Sequence, residues 1–112
     1  MRELKFRRYD DYEFVFFDLV DFRKYDETPF VVQKYPIEQY TGLKDKNGKE
    51  IYEGDIMNDG NHICKIKWSE HFTAFEALNE DEGYESNVWF EAKYGEVIGN
   101  VHENPELLEK EE

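Results

Sequence analysis

Cys64 is the chain's single cysteine. An intramolecular disulfide is therefore excluded, and with it a secreted scaffold stapled by disulfides. No apolar run is long enough to span a membrane, and no basic-then-apolar leader is present, so the expected compartment is the cytoplasm and no membrane partner is expected. Positive charge is scarce. Fourteen Lys and Arg stand against 27 Asp and Glu, a net charge of −13. A field of that sign repels phosphate and disfavours nucleic acid as a partner, while it favours basic partners. The same excess of acid also keeps a small protein in solution without any partner.

Catalytic signatures are missing as well. Gly42 and Gly48 are followed by Lys49, but no Gly-Lys-Ser/Thr occurs, and the stretch reads as a hairpin rather than a loop-to-helix junction. No Gly-x-Ser-x-Gly elbow is present. His62, His71, His102 and Cys64 are scattered and lack the clustered spacing of a zinc site, so neither metal nor other cofactor is expected. With 27 acids, a carboxylate pair alone carries no information. Asp55 is the one acid that stands out, because it follows Gly54 at a turn into a strand. Its expected role is to accept hydrogen bonds from the backbone of its own turn. The chain reads as a non-enzyme.

What the chain does have is aromatic and turn-forming residues. Aromatics reach 17% of 112 residues, which argues for one folded, strand-rich domain spanning 1–112. The densest stretch is 40–56. Asn47-Gly48 between Leu43 and Ile51 predicts a β-hairpin over 43–52 with a type I′ turn, since Asn-Gly tolerates positive φ at both central positions. Gly54-Asp55 then turns the chain into a strand beginning at Ile56-Met57. The expected fold class is mainly β, a small antiparallel barrel-like domain with this hairpin and a short C-terminal helix.

The rest of the chain fits that class. Arg2 to Tyr9 alternates as a strand with one half-buried face, Asp10-Asp11 turns it, and Tyr12 to Val20 resumes with both faces apolar, as in a strand covered on both sides. Asp21 to Pro29 reads as irregular, Phe30-Val31-Val32 as β-favouring, and Pro36 as a break. His62 to Trp68 is the clearest strand, with Cys64, Ile66 and Trp68 on one face and Lys65 and Lys67 in water. Phe72 to Leu78 fits strand or short helix, and its aromatics favour strand. Asn79 to Asn87 reads as an acidic, mobile loop, Val88-Trp89-Phe90 as a strand fragment, and Glu96 to Val101 as a further strand. Asn104-Pro105-Glu106 has the form of a helix start, with Asn104 as cap. The basic cluster Arg2, Lys5, Arg7 and Arg8 precedes Asp10, Asp11 and Glu13, so pairing with the chain's own acids is its expected use.

Three blocks, Arg2-Glu3-Leu4-Lys5-Phe6-Arg7, Gln39 to Ile56, and Glu96 to Leu108, resemble the YopX family of small phage and prophage proteins. They lie at the start, middle and end, so the resemblance covers essentially the whole chain. It departs locally, with Arg8-Tyr9 where such proteins tend to have Ala-Trp and Val101-His102 where Ile-Tyr is common. The resemblance implies a mainly β, barrel-containing fold and a phage or prophage origin. It implies no activity, so no catalytic or ligand residue transfers.

The expected function is that of a phage accessory protein that binds a host or phage protein in the bacterial cytoplasm. Self-association into a homo-oligomer is also expected, from strand edges and aromatic patches. The expected interaction surface is the hairpin: Tyr40, Lys44, Lys46, Lys49 and Tyr52. Two alternatives are an acidic mimic of DNA that inhibits a nucleic-acid-binding protein, and a nucleic-acid-binding barrel that stacks bases on Tyr40, Tyr52 and Trp68.

Overall fold

The computed structural model describes residues 4–18 and 37–109. Nine strands form two antiparallel sheets among the described residues. They are β1 (Lys5–Tyr9), β2 (Phe14–Asp18), β3 (Glu38–Lys44), β4 (Glu50–Tyr52), β5 (Asp55–Asn58), β6 (Ile63–Ser69), β7 (Ala74–Asn79), β8 (Tyr84–Asn87) and β9 (Glu96–Asn100), with helix α1 (Val88–Tyr94) between the last two. The first sheet has the order β2-β1-β3-β4 and the second β8-β7-β6-β5-β9. The expected mainly β class holds. The sheets are not closed into a barrel, though their compact pairing is compatible with a barrel-like domain. No helix among the described residues is long and apolar enough to cross a membrane.

Short-range chemistry explains most connections. Asp10 accepts from the amides of Tyr12 and Glu13, and Asp11 takes positive φ, so the expected turn between β1 and β2 is made. The β3–β4 hairpin forms where expected, but its turn is not type I′. Gly48 N–H closes onto the Asp45 carbonyl at 2.9 Å, and Gly48 takes positive φ while Asn47 does not. That is the longer hairpin connection, with glycine at the left-handed position. Asp45 is the reason: its Oδ1 accepts from the amides of both Asn47 and Lys49 at 2.9 Å, which organises the tip around a carboxylate.

The core is built mainly on the second sheet, with Ile51 contributed by the first. Ile51, Met57, Cys64, Ile66, Phe75, Ala77 and Ala92 form one buried cluster, with Leu43, Tyr84, Val88 and Val97 packed around it. Strand β6 places Cys64 and Ile66 inside, as its alternation predicts, but Trp68 stays 39% exposed, edge-to-face on Phe75. The 72–78 stretch is a strand, as its aromatics favour, beginning at Ala74.

Four expectations are corrected. The acidic stretch 79–87 is not all loop, because Tyr84–Asn87 pairs with β7 across a Glu80–Gly83 turn. Val88-Trp89-Phe90 is not a strand. Asn87 accepts the Phe90 amide as an N-cap at 2.7 Å, and burial of Glu91 and Ala92 secures one helical face, so packing overrides β-propensity. The C-terminal element is a 3₁₀ turn, Pro105–Leu108, and Asn104 does not cap it; the Asn104 carboxamide oxygen accepts instead from Asn100 N–H at 3.3 Å. Strand β2 is not covered on both sides, since Phe16 is 58% exposed. The readings for 19–36 lie outside the described residues.

Candidate functional site

A chain of buried charge joins the two sheets. Arg7 is the one buried residue of β1. Its Nε donates to Glu38 Oε1 on β3 at 2.9 Å, its Nη1 lies 2.9 Å from Asp55 Oδ1 on β5, and its Nη2 donates to the Glu53 carbonyl at 3.1 Å. Glu38 Oε2 is 3.0 Å from His102 Nε2, in the turn after β9. A carboxylate can only accept, so the ring nitrogen is the donor. Asp55 Oδ2 accepts the Tyr52 amide at 2.8 Å. Arg7 and Glu38 belong to the first sheet, Asp55 to the second and His102 to the turn that leaves it, so this network is a fastener between the sheets. Aromatic faces sheathe it: the guanidinium carbon lies 4.1 Å from the Phe14 centroid and 5.0 Å from that of Tyr52, and His102 stacks on Tyr9 at 4.9 Å.

Burial sets the titration of these groups. It pushes the Asp55 carboxyl above its ordinary value, against the Arg7 charge and the Tyr52 amide. Burial, with the charge of Glu50, pushes the Tyr52 phenol up to about 12. Asp55 therefore does accept from the backbone at its own turn, as expected, and also carries half of an inter-sheet ion pair. Gly54 is part of the same device. It takes φ +90, and a Cβ there would collide with the Glu38 carboxylate. Gly54→Ala is expected to cost about 2–3 kcal/mol, from the left-handed backbone and the displaced carboxylate together. Urea unfolding measures it, and a cost below that of Gly48→Ala, where a Cβ meets nothing within 4 Å, would contradict this packing.

The expected hairpin surface divides in two. Lys44, Lys46 and Lys49 are exposed. Tyr40 and Tyr52 are only 4% exposed, so the structure removes them from that surface and from any base-stacking platform. Their rings pack together at 5.4 Å because both face inward across the β3–β4 pair. Two residues of the basic cluster pair internally: Lys5 Nζ meets Glu50 Oε2 at 2.6 Å, and Arg7 meets Glu38 and Asp55. Among the described residues, no group of three or more His, Cys, Asp and Glu side chains is placed to hold a metal ion.

Above the network lies a cleft of about 290 Å³. Arg7 and Asp55 form its floor, Phe14, Phe16 and Tyr52 its walls, and Lys49, Glu50 and Glu103 its rim. The exposed hairpin lysine Lys49 and the exposed Phe16 of β2 thus border one depression. Sequence reasoning missed Phe16 because it reads as one apolar residue in a strand apolar on both faces. Its exposure is set by what packs on each face of β2 in the folded protein, which no local pattern gives.

A small two-sheet β protein whose internal charges fasten its sheets is the class that this fold and site define. The chain matches the model of the YopX protein family over residues 3–109, and it belongs to that family. Among solved structures it is similar to the crystal structure of protein EF1440 from Enterococcus faecalis. The two are 30% identical over 96% of this chain and 76% of that one, with a TM-score of 0.49. No curated protein matches the chain.

Proposed function

We propose that this protein is a non-enzymatic, protein-binding accessory module of phage or prophage origin that works in the bacterial cytoplasm. The observation that carries this reading is the cleft. Its charged floor is already paired within the protein, while Phe16 stands 58% exposed on its wall among Lys49, Glu50 and Glu103. Charges satisfied by one another are poor acids, bases or nucleophiles. An exposed aromatic ringed by polar groups is instead the form of an interaction hot spot. A host or phage protein seated there would bury Phe16 and pair with the rim, and the net charge of −13 speeds association with a basic partner. Self-association through exposed aromatics is part of this proposal, and light scattering showing a monomer at high concentration removes that part.

Affinity capture from host cells, with wild type and variants side by side, tests the reading. Phe16→Ser and Lys49→Glu alter exposed side chains; Phe16→Ser also gives up ring contacts with Tyr52 and Phe14, so circular dichroism checks that both variants fold, while the captured partner is expected to fall at least about tenfold with Phe16→Ser, the loss for a hot spot of 1.4 kcal/mol or more. Equal capture by wild type and both variants would remove the cleft from the function. A narrower second reading, an acidic mimic that occupies a nucleic-acid-binding protein, is favoured by the charge alone. It predicts capture that collapses as salt is raised and a partner that releases nucleic acid on binding.

A further inference from the structure

We infer that Glu91 is a buried carboxylic acid sharing its proton with Asp59, and that this proton latches helix α1 onto the second sheet. Glu91 is 0% exposed, more deeply buried than any other charged residue described. Its Oε1 accepts the Tyr84 hydroxyl at 2.7 Å, while its buried Oε2 meets no hydrogen-bond partner. The same hydroxyl lies 3.4 Å from Asp59 Oδ2, so two carboxyl groups converge on a phenol that has one proton to give. A carboxylate oxygen stranded in the interior is costly, whereas a carboxylic acid carries its own donor there. Geometry also decides which acid keeps the proton. Asp59 Oδ1 accepts the amides of Asn61 at 2.8 Å and His62 at 2.7 Å, and these favour its ionised form, while Glu91 has no backbone donor.

The titratable groups around Glu91 agree. Asp59 and His62 face it from the β5–β6 turn, Cys64 from β6 and Tyr84 from β8. The His62 ring stacks on Tyr84 at 3.9 Å, and its Nδ1 lies 3.9 Å from Glu82. Strands β3 and β7 also pack on the helix; Lys44 of β3 is exposed, and Glu76 of β7 alternates to the face opposite Phe75 and Ala77. Burial raises the Glu91 carboxyl above its ordinary value, with the Asp59 charge in support. Asp59 goes the other way: burial opposes its ionisation, but the Asn61 and His62 amides win and lower it.

The latch matters because of what α1 carries. The helix has seven residues, too few to persist without packing, and its buried residues are Glu91 and Ala92. Its other side presents Trp89, Phe90 and Tyr94 at 62, 39 and 50% exposure, with Lys93 over the rings of Trp89 and Tyr94. Removing the shared proton sets the charge of buried Glu91 beside that of half-buried Asp59 and loosens the helix that displays these aromatics. The sign follows from linkage. A raised acid contributes stability that is fully present below its unfolded value of 4.5 and is lost as pH rises through its folded value. The lowered Asp59 contributes stability that is present above 3.8 and lost as pH falls.

Carboxyl-carbon NMR on protein labelled at Glu and Asp tests this, with the Glu91 signal assigned through its backbone amide. Glu91 is expected to titrate above the surface glutamates, and Asp59→Asn to bring it down toward them. In a Trp68→Phe background Trp89 is the remaining tryptophan, and its emission is expected to change at the Glu91 midpoint. Titration of Glu91 with the surface glutamates, or a midpoint unmoved by Asp59→Asn, would overturn the shared proton. Trp89 emission unchanged through that midpoint would overturn the latch.

Discussion

Arg7→Met is expected to lower the free energy of unfolding by about 3–5 kcal/mol, because it strands Glu38 and Asp55 as buried charges without their partner. Methionine fills much of the space between Phe14 and Tyr52, so the loss reads out charge rather than volume. Arg7→Lys is expected to recover little of it. One ammonium replaces a planar fork that reaches Glu38, Asp55 and the Glu53 carbonyl in three directions. Adding Glu38→Gln and Asp55→Asn to Arg7→Met removes both stranded charges and is expected to restore part of the stability. Urea melts of the four proteins measure this. A loss below about 1 kcal/mol for Arg7→Met would place the pair among ordinary surface ion pairs and remove its role as the fastener of the sheets.

The second large effect is at Asp45. Its carboxylate accepts three backbone amides: Asn47 and Lys49 within the hairpin, and Val97 of β9 at 2.8 Å. Lys46 N–H reaches the Gly95 carbonyl at 3.1 Å beside it, so the hairpin of the first sheet docks on the second through this tip. Asp45→Ala is expected to cost about 3–4 kcal/mol, the loss of charge-assisted bonds to partly buried amides. Asp45→Asn keeps Oδ1 for the two hairpin amides but turns its –NH₂ toward Val97 N–H, so about half that loss is expected. The pH dependence separates them further. Burial disfavours the Asp45 charge, yet the three amides outweigh it and lower its pKa. The stability Asp45 contributes is therefore present above 3.8 and is lost as pH falls through its folded value. Thermal melts of wild type should weaken in that acid window, and those of Asp45→Asn should lack this component of the slope.

Both residues show where sequence reading succeeds and where it stops. The turn at Asp10-Asp11, the hairpin arms, the strand after Gly54 and the inside positions Cys64 and Ile66 were legible, since each depends on neighbours two to four residues away. Helix α1 was not legible, because a segment that opens with the β-prone Val88, Trp89 and Phe90 turns helical only when Asn87 caps it and Glu91 finds its buried site. Tyr40 and Tyr52 were misplaced for a related reason. Alternation places both on one face of the β3–β4 pair, but only the docked neighbours make that face the inner one. Lys44, Lys46 and Lys49 are exposed as expected of a hairpin tip, yet the cleft wall that Lys49 shares with Phe16 joins residues 33 positions apart, and no local pattern links them.

By itself, then, the sequence determined a mainly β chain of strong negative charge and its place in the YopX family, because composition, turn chemistry and the three blocks are properties of short stretches. The tertiary structure alone decided what the charged residues are for. The basic cluster that holds Arg7 is expected to pair with nearby acids, and Asp55 stands out at its turn, but Glu38, Asp45 and Glu91 read as three among many acids. Their meaning lies in partners 31 to 52 residues away for Arg7 with Glu38 and for Asp45 with Val97. Buried charge is tolerated only where partners converge from different strands, and that convergence exists only after the two sheets have met.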